Sequence, residues 1–255
     1  MQGDSSDDNL RQKLDWLAPT GQWVDAGRVR IGDAWYAISD VTDALSGAIT
    51  ESRKARVETI LDGRTPDVAT VVEGIANLGN VGAVMRTAEA FGFQRFHAIT
   101  RGVRYKDSAR TTQGAHKWLD VHRWDEPEAC IAALHAGGYR VFVTSVDPGS
   151  ASLEEVDFSG RCALVFGNEL EGVSTTMGGL ADRRICIPTP GFVESFNISV
   201  AAAICLYHVY RYRRDRGIAG GLSDAERAIL RARFYVKSVR GAEEIVKRFC
   251  RPERR

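Results

Sequence analysis

The sequence has no cysteine framework, no long apolar run and little net charge. Its cysteines show no CxxC spacing, which argues for a reducing compartment and against a zinc site; they are Cys130, Cys162, Cys186, Cys205 and Cys250. No apolar stretch approaches the roughly 18 residues of a membrane span. The acidic amino terminus lacks the apolar core of a secretory signal. We therefore expect a cytoplasmic protein without metal or membrane contact, or an organellar one if a leader has been removed.

The net charge of +1 conceals an uneven distribution along the 255 residues. Residues 1–45 contain eight aspartates and four basic residues, whereas residues 206–255 contain fourteen basic and six acidic residues. A basic end on a nearly neutral chain is typical of proteins that bind a polyanion such as nucleic acid. It is equally typical of a solvated helical face, so the charge alone leaves both interpretations open.

Predicted strands alternate with predicted helices from about residue 49 onward. The strands are Val68–Val72, Phe96–Thr100, Trp118–Val121, Tyr139–Ser145, Ala163–Phe166 and Arg184–Ile187. The helices begin at Ile49, Gly79, Pro127 and Asn197, and one or two more follow Ser223. This alternation predicts an α/β fold with a mostly parallel sheet covered by helices on both faces. Ligands of such sheets bind where the strands end, here after Val72, Ser145, Phe166 and Ile187.

Three segments have the composition of binding loops that lead into rigid elements. They are NLGNVGAVMRTAEAFG at 77–92, LVFGNELEGVS at 164–174 and IPTPGFVESFNISVAAA at 187–203. In the third, a loop marked by proline and glycine presents Ser195 and Asn197 directly before a helix that begins with small residues. A loop held between a strand and a helix is a common place for a binding site.

In this order and spacing, the three segments resemble the motifs of the SPOUT-class RNA 2′-O-ribose methyltransferases, the TrmH/SpoU family, over residues 50–216. Gly114–Trp118 further resembles the tRNA guanosine-18 branch. The resemblance implies a deep trefoil knot in the C-terminal half of the sheet, S-adenosylmethionine (AdoMet) bound by the knot loops, and a homodimer. We divide the chain into an acidic extension at 1–48, a SPOUT domain with an N-terminal basic helix at 49–216, and a basic helical extension at 217–255.

The resemblance also implies roles for individual residues. Its catalytic set is Arg86, Asn80, Glu169, Ser195 and Asn197. Arg86 would activate the ribose 2′-hydroxyl or, more easily for a group with a pKa above about 12, clamp a phosphate and stabilise the alkoxide. Asn80 would orient Arg86 or the ribose, or cap its helix. Glu169 would hold the knot or position substrate.

Further positions match the cofactor and RNA contacts of the family. The cofactor set is Thr144, Gly167, Ile187 and Phe196, and the RNA set is Arg53, Arg56, Arg64, Arg211 and Arg213. Two positions depart from the family pattern. Phe196 stands where leucine is frequent, and Gly79 stands where tRNA-type members often have histidine.

The main functional hypothesis is AdoMet-dependent 2′-O-methylation of a tRNA ribose, at guanosine 18 of the D-loop. The alternatives are a ribosomal RNA methyltransferase of the same family and a non-catalytic RNA-binding protein on the same fold. The intact catalytic set argues against the second alternative. A nicotinamide-dependent dehydrogenase is excluded because no GxGxxG follows the first strand of the alternating pattern.

Overall fold

The computed structural model describes residues 24–25, 27–75, 77–100, 114–168, 170–218 and 220–253. These residues form two compact units. The first contains the described residues up to Asp62, together with Asp120–His122 and the segment from Leu222 onward. The second contains the described residues of Gly63–Leu119 and Arg123–Gly221.

The central element is a seven-stranded sheet with the order β6-β5-β4-β9-β7-β10-β8. Its strands are β4 (Thr65–Glu73), β5 (Phe93–Ile99), β6 (Asp120–Trp124), β7 (Arg140–Thr144), β8 (Ala151–Ser152), β9 (Cys162–Phe166) and β10 (Arg183–Cys186). All pairings among β4, β5, β7, β8, β9 and β10 are parallel. The predicted α/β fold with a mostly parallel sheet is confirmed. The knot concerns how the chain threads through itself and stays a prediction.

Helices cover both faces of this sheet because its strands are apolar on both sides. The helices are α3 (Leu78–Ala90), α4 (Pro127–Ala136), α5 (Thr175–Leu180) and α6 (Ile198–Asp215). Val141 and Val143 share one face of β7 with residues of α4 and with Met177 of α5. Phe142 points to the other face, where its ring meets Phe158 edge-on, and Phe158 in turn meets His208 of α6.

Helix α3 begins and ends where the sequence provides the appropriate residues. Asn77 caps its first turn by accepting a hydrogen bond from the Gly79 N–H at 2.8 Å. After the helix, Gly92 takes a φ of +75°, and a Cβ at this position would lie 2.1 Å from the Gly63 carbonyl oxygen. Only glycine fits there, so the chain turns sharply from α3 into β5.

The first unit combines a small antiparallel sheet with four helices. The sheet has the order β1-β2-β3, with β1 (Val24–Asp25), β2 (Arg28–Ile31) and β3 (Ala34–Ala37). The helices are α1 (Ile38–Ser46), α2 (Glu51–Asp62), α7 (Asp224–Ser238) and α8 (Ala242–Phe249). A capping box is present at the start of α7, where Ser223 and Glu226 exchange hydrogen bonds.

Some element boundaries differ from the sequence prediction. The strand expected at Trp118–Val121 begins at Asp120, because Ala115–Trp118 forms a 3₁₀ turn and the Trp118 carbonyl accepts a hydrogen bond from the Gln94 side chain at 3.1 Å. The short helices α1 and α5 were not predicted. The structure groups α2 with α7 and α8 in one compact unit, whereas the sequence division placed it in segment 49–216. That division stays a prediction.

Candidate active site

Four neighbouring strands end at one edge of the sheet. β4, β9, β7 and β10 lie side by side and run in the same direction. Their register aligns Val72 with Phe166, and Thr144 with Ile185. The loops after these strands therefore begin at a common edge, which is where ligands bind in open α/β sheets. Three of the predicted cofactor residues, Thr144, Gly167 and Ile187, lie at this edge.

The loop after β9 closes tightly on itself. Asn168 and Gly172 form a backbone bridge in which each N–H donates to the other carbonyl, at 2.8 and 2.9 Å. A Cβ on residue 167 would lie 2.2 Å from the carbonyl carbon of Gly172. Residue 167 must therefore be glycine, and the requirement comes from the loop's own backbone. Gly167 is itself buried.

Thr144 ends β7 with its hydroxyl already engaged. The hydroxyl donates to the carbonyl of Val165 on the adjacent strand at 3.0 Å. The next residue, Ser145, donates its N–H to the Ile185 carbonyl at 2.9 Å. Because the hydroxyl proton is used, Thr144 is left with acceptor capacity toward a ligand, while its side chain is held in one orientation.

The loop between β10 and α6 is exposed along most of its length. Residues 190–197 are all exposed, and Phe196 retains 38% of its surface. Asn197 caps α6, because its side-chain oxygen accepts from the Ser199 N–H at 2.9 Å and from the Ser199 hydroxyl at 2.6 Å. Its NH₂ group is the part that can reach a ligand. Ser195 lies two residues earlier and is exposed.

Helix α3 carries the predicted pair Asn80 and Arg86. Capping is performed by Asn77, so the alternative interpretation of Asn80 as the helix cap is wrong. Arg86 lies six positions after Asn80, which is about 9 Å along the helix. Arg86 is exposed and borders an open depression of about 680 Å³. The depression is lined by residues of α3, of the 3₁₀ turn and of α6, including Thr87, Phe91, Trp118 and Ala203.

An aromatic cluster joins α3 to α6 beside this depression. The ring of Phe91 stacks on Tyr210 with centroids 5.2 Å apart and lies 5.8 Å from Tyr207. Helices α3 and α6 pack directly against each other. The helix that carries Arg86 and the helix capped by Asn197 are therefore held as one rigid pair.

The predicted RNA-binding arginines divide into exposed and buried groups. Arg53 and Arg56 are exposed on α2, and Arg211 is exposed on α6. The hydrogen bond from Arg211 to Asp215 raises the pKa of Arg211, so this side chain stays charged. Arg64 and Arg213 are only 2% and 6% exposed. Both side chains are therefore largely enclosed by the protein, and the expectation that they contact RNA stays a prediction.

The buried arginines bind within the protein. Arg64 donates to the Glu89 carboxylate at 2.7 Å. Arg213 donates to the backbone carbonyls of Phe158, Ser159 and Gly160 and to the Asp67 carboxylate at 3.1 Å. A buried guanidinium needs such partners because an uncompensated charge is costly to desolvate.

Two polar residues at the strand-end edge were missed in the sequence. Glu73 ends β4 with 1% of its surface exposed, and its carboxylate accepts from the Ser174 N–H at 2.9 Å. Asn168 donates from its side chain to the Gly74 carbonyl at 2.9 Å. The available signal for Glu73 was a carboxylate directly after the apolar run 68–72. Glu169, predicted as catalytic, lies outside the described residues.

Other chemistry is limited within the part of the chain that the structure describes. It contains no group of three His, Cys, Asp or Glu side chains that could hold a metal. Burial raises the pKa values of Cys162 and Cys205 to about 12, so neither thiol is a nucleophile at neutral pH. No helix among the described residues is long and apolar enough to cross a membrane.

Comparison with known proteins identifies the family. The model of the SpoU rRNA Methylase family matches residues 67–207. The chain belongs to the SpoU methylase family. It is therefore a methyltransferase that uses AdoMet. The matched residues include all three motif segments.

The relatives of this SpoU methylase have related activities. A tRNA (guanosine(18)-2′-O)-methyltransferase of Borreliella burgdorferi is 34% identical over 201 residues, which cover 79% of this chain and 92% of that protein. The crystal structure of the A. aeolicus TrmH/SpoU tRNA modifying enzyme has a TM-score of 0.69 and 30% identity, covering 74% of this chain and 98% of the other. AviRb of Streptomyces viridochromogenes, a SpoU methyltransferase solved with AdoMet, has a TM-score of 0.54 and 25% identity, covering 61% of each chain.

Proposed function

We propose that this SpoU methylase transfers the methyl group of AdoMet to the 2′-hydroxyl of guanosine 18 in the D-loop of tRNA. The observation that carries the proposal is the 34% identity to a relative with that activity over 92% of the relative's length. The exposed Arg86 on α3, beside a depression partly bordered by α6, agrees with it. Asn80, Ser195 and Asn197 complete the described part of the proposed catalytic set.

The strand-end edge fits the AdoMet that the family uses. An adenosine requires main-chain hydrogen-bonding groups and apolar flanks. Ile187 is half-buried and Phe196 is partly exposed, so both have apolar surface to offer. We assign cofactor contacts to these residues and to Thr144. When bound, AdoMet supplies an electrophilic methyl group on a sulfonium centre.

The residues of the chain then bind, orient and stabilise the reacting ribose. The guanidinium of Arg86 offers charged N–H donors, which makes it a clamp for a substrate phosphate and a stabiliser of negative charge on the 2′-oxygen. The NH₂ of Asn197 and the hydroxyl of Ser195 can hydrogen-bond to the ribose or to the loop that holds it. We assign to Glu169 the positioning of substrate, and to Asn80 that of Arg86 or the ribose.

Methyl transfer to defined transcripts tests the substrate. The protein is incubated with methyl-labelled AdoMet and an unmodified tRNA transcript, beside the same transcript with guanosine 18 replaced. We expect label in the first RNA and none in the second. Label only in ribosomal RNA would support the alternative of a ribosomal RNA methyltransferase, and label in no RNA, with AdoMet binding intact, would support the binding protein.

Substitution of Arg86 tests the catalytic assignment. We expect Arg86→Ala to bind AdoMet with unchanged affinity and to lose at least about a hundredfold in methyl transfer, since one preorganised charged donor contributes about this much. The matched control is Arg183→Ala, at the amino end of β10 and away from the strand-end edge. Loss of AdoMet binding along with transfer in Arg86→Ala would show that Arg86 has a structural role instead.

We also propose that the protein is a homodimer. An exposed stripe on α6 supports this, because Val200 and Tyr207 retain 46% and 48% of their surface and lie seven residues apart on one helical face. We expect Tyr207→Glu to shift the mass measured by light scattering from dimer to monomer, while Arg214→Glu on the exposed end of α6 does not. A wild-type monomer across the micromolar range would refute the dimer.

A further inference from the structure

The loop after β9 is tied to the end of β4 at two points. The side-chain NH₂ of Asn168 donates to the Gly74 carbonyl at 2.9 Å. At the far end of the loop, the Ser174 N–H donates to the buried Glu73 carboxylate at 2.9 Å. Glu73 and Gly74 are consecutive residues, so both ends of the loop bind to one place on the neighbouring strand.

The anchoring place is itself rigid. Glu73 pairs with Ile99 in the register of β4 and β5, and the Gly74 N–H donates to the Ile99 carbonyl at 2.9 Å. Val72 aligns with Phe166, the last residue of β9. The two contacts therefore connect a loop to the centre of the sheet, where the backbone has little freedom to move.

Asn168 also organises the loop from within. Its side-chain oxygen accepts from the N–H groups of Leu170 and Glu171, at 2.8 and 3.2 Å. Together with the backbone bridge to Gly172, these bonds direct several main-chain groups of the loop into one arrangement. A single side chain thus defines the shape of the turn and fixes its position on the sheet.

We propose that Glu73 and Asn168 are positioning residues for AdoMet. Neither is assigned a contact with the cofactor. They hold the main chain beside Gly167 in the arrangement that binds it, so that binding does not first have to order the loop. The inference rests on the proposed placement of AdoMet at this edge, and it adds two residues to the cofactor site that act through the backbone of others.

Direct binding of AdoMet, measured by calorimetry without RNA, tests the proposal. Asn168→Ala removes three side-chain hydrogen bonds, and we expect it to raise the Kd of AdoMet by about tenfold or more. Glu73→Ala is expected to have a similar effect. Glu73→Gln retains an acceptor for the Ser174 N–H, and we expect it to stay within about threefold of wild type.

Kinetics and a control separate positioning from general stability. We expect Asn168→Ala to raise the KM for AdoMet while kcat at saturating AdoMet falls by less than about threefold. Ser223→Ala removes a cap of α7 in the other compact unit, and we expect it to leave the Kd of AdoMet unchanged. Should Glu73→Ala fail to fold, Asn168→Ala still decides the question, because Asn168 is only half-buried.

Two results would overturn the proposal. One is a Kd of Asn168→Ala within twofold of wild type. The other is a Glu73→Gln variant that binds as weakly as Glu73→Ala, since the retained acceptor would then be irrelevant. The calorimetry uses no RNA, so it tests the role of Glu73 and Asn168 independently of the proposed tRNA substrate. A wild-type protein that binds AdoMet but methylates no tRNA would refute the substrate, and the Kd values of the variants would still decide the role of these two residues.

Discussion

Two arginines of α6 show how burial decides the role of a residue. Arg211 and Arg213 are two positions apart and look alike in the sequence. Arg213 is buried among three backbone carbonyls and the Asp67 carboxylate, whereas Arg211 is exposed and pairs with Asp215 one helical turn away. Arg213 therefore donates hydrogen bonds to acceptors in the interior, and Arg211 remains accessible to a phosphate.

This difference predicts opposite effects of two alanine substitutions. We expect Arg213→Ala to lower the free energy of unfolding by about 3 kcal/mol, because it leaves buried carbonyls and a carboxylate without their donor. Arg211→Ala is the matched control and should leave the unfolding midpoint unchanged, since exposed ion pairs contribute little. Urea denaturation followed by circular dichroism measures both. Equal midpoints for the two variants would contradict this assignment.

At the scale of elements, the basic helix α7 is bound to α2 by ion pairs. Arg231 donates to both oxygens of Glu58, at 2.5 and 2.8 Å, and Arg227 pairs with Asp62. The hydrogen bond from Arg231 lowers the pKa of Glu58. Much of the basic character of α7 is therefore neutralised inside the first unit and is not available to an external polyanion.

The lowered pKa of Glu58 predicts a pH-dependent contribution to stability. A carboxyl whose pKa falls on folding stabilises the protein above its unfolded pKa, and this contribution disappears as the pH falls through the folded pKa. We expect Glu58→Gln to be less stable than wild type at pH 7 by about 1 kcal/mol or less, given solvent screening. The difference should shrink as the pH falls below the ordinary pKa of a glutamate, about 4.3. A difference that does not change with pH would mean that the ionised carboxylate is not what stabilises the pair.

At the scale of the whole molecule, the structure shows that part of the positive charge in residues 206–255 is neutralised within the protein. Several basic side chains of the C-terminal region pair with carboxylates outside that region, namely Arg213, Arg227, Arg231 and Arg233. The excess of positive charge in residues 206–255 thus overstates the surface that attracts RNA. Among the predicted contacts, the exposed Arg53 and Arg56 of α2 and the exposed Arg211 of α6 remain suited to bind phosphates.

Salt dependence of RNA binding tests that assignment. Each phosphate contact adds about 0.7 to 0.9 to the slope of log K against log salt, so Arg53→Ala/Arg56→Ala should reduce the slope by about 1.5. We expect Arg183→Ala to leave the slope unchanged. Fluorescence anisotropy with a labelled tRNA transcript, at several salt concentrations, measures both. A double variant with the wild-type slope would show that α2 does not contact the RNA backbone.

Much of the fold was accessible from local signals. The helix Pro127–Ala136 begins at the residue where the sequence predicted it to begin, because proline suits a first helical turn, and the glycine pair at 137–138 follows its end. The 3₁₀ turn at Ala115–Trp118 was not predicted, since it depends on contacts such as the one between Gln94 and the Trp118 carbonyl. The sequence located the motif loops of the candidate site, but it did not show that Glu73 and Asn168 anchor one of these loops to the sheet.

The sequence by itself determined the α/β class, most of the strands and helices of the alternating region and the three motif loops, because periodicity, capping residues and glycine positions act over a few neighbouring residues. Only the tertiary structure decided which arginines are buried, that Asn77 and not Asn80 caps α3, and that Glu73 and Asn168 join the end of β4 to the loop after β9. These outcomes depend on which strands become neighbours. Burial and hydrogen bonding between residues about a hundred positions apart are properties of the packed sheet, and no local pattern encodes them.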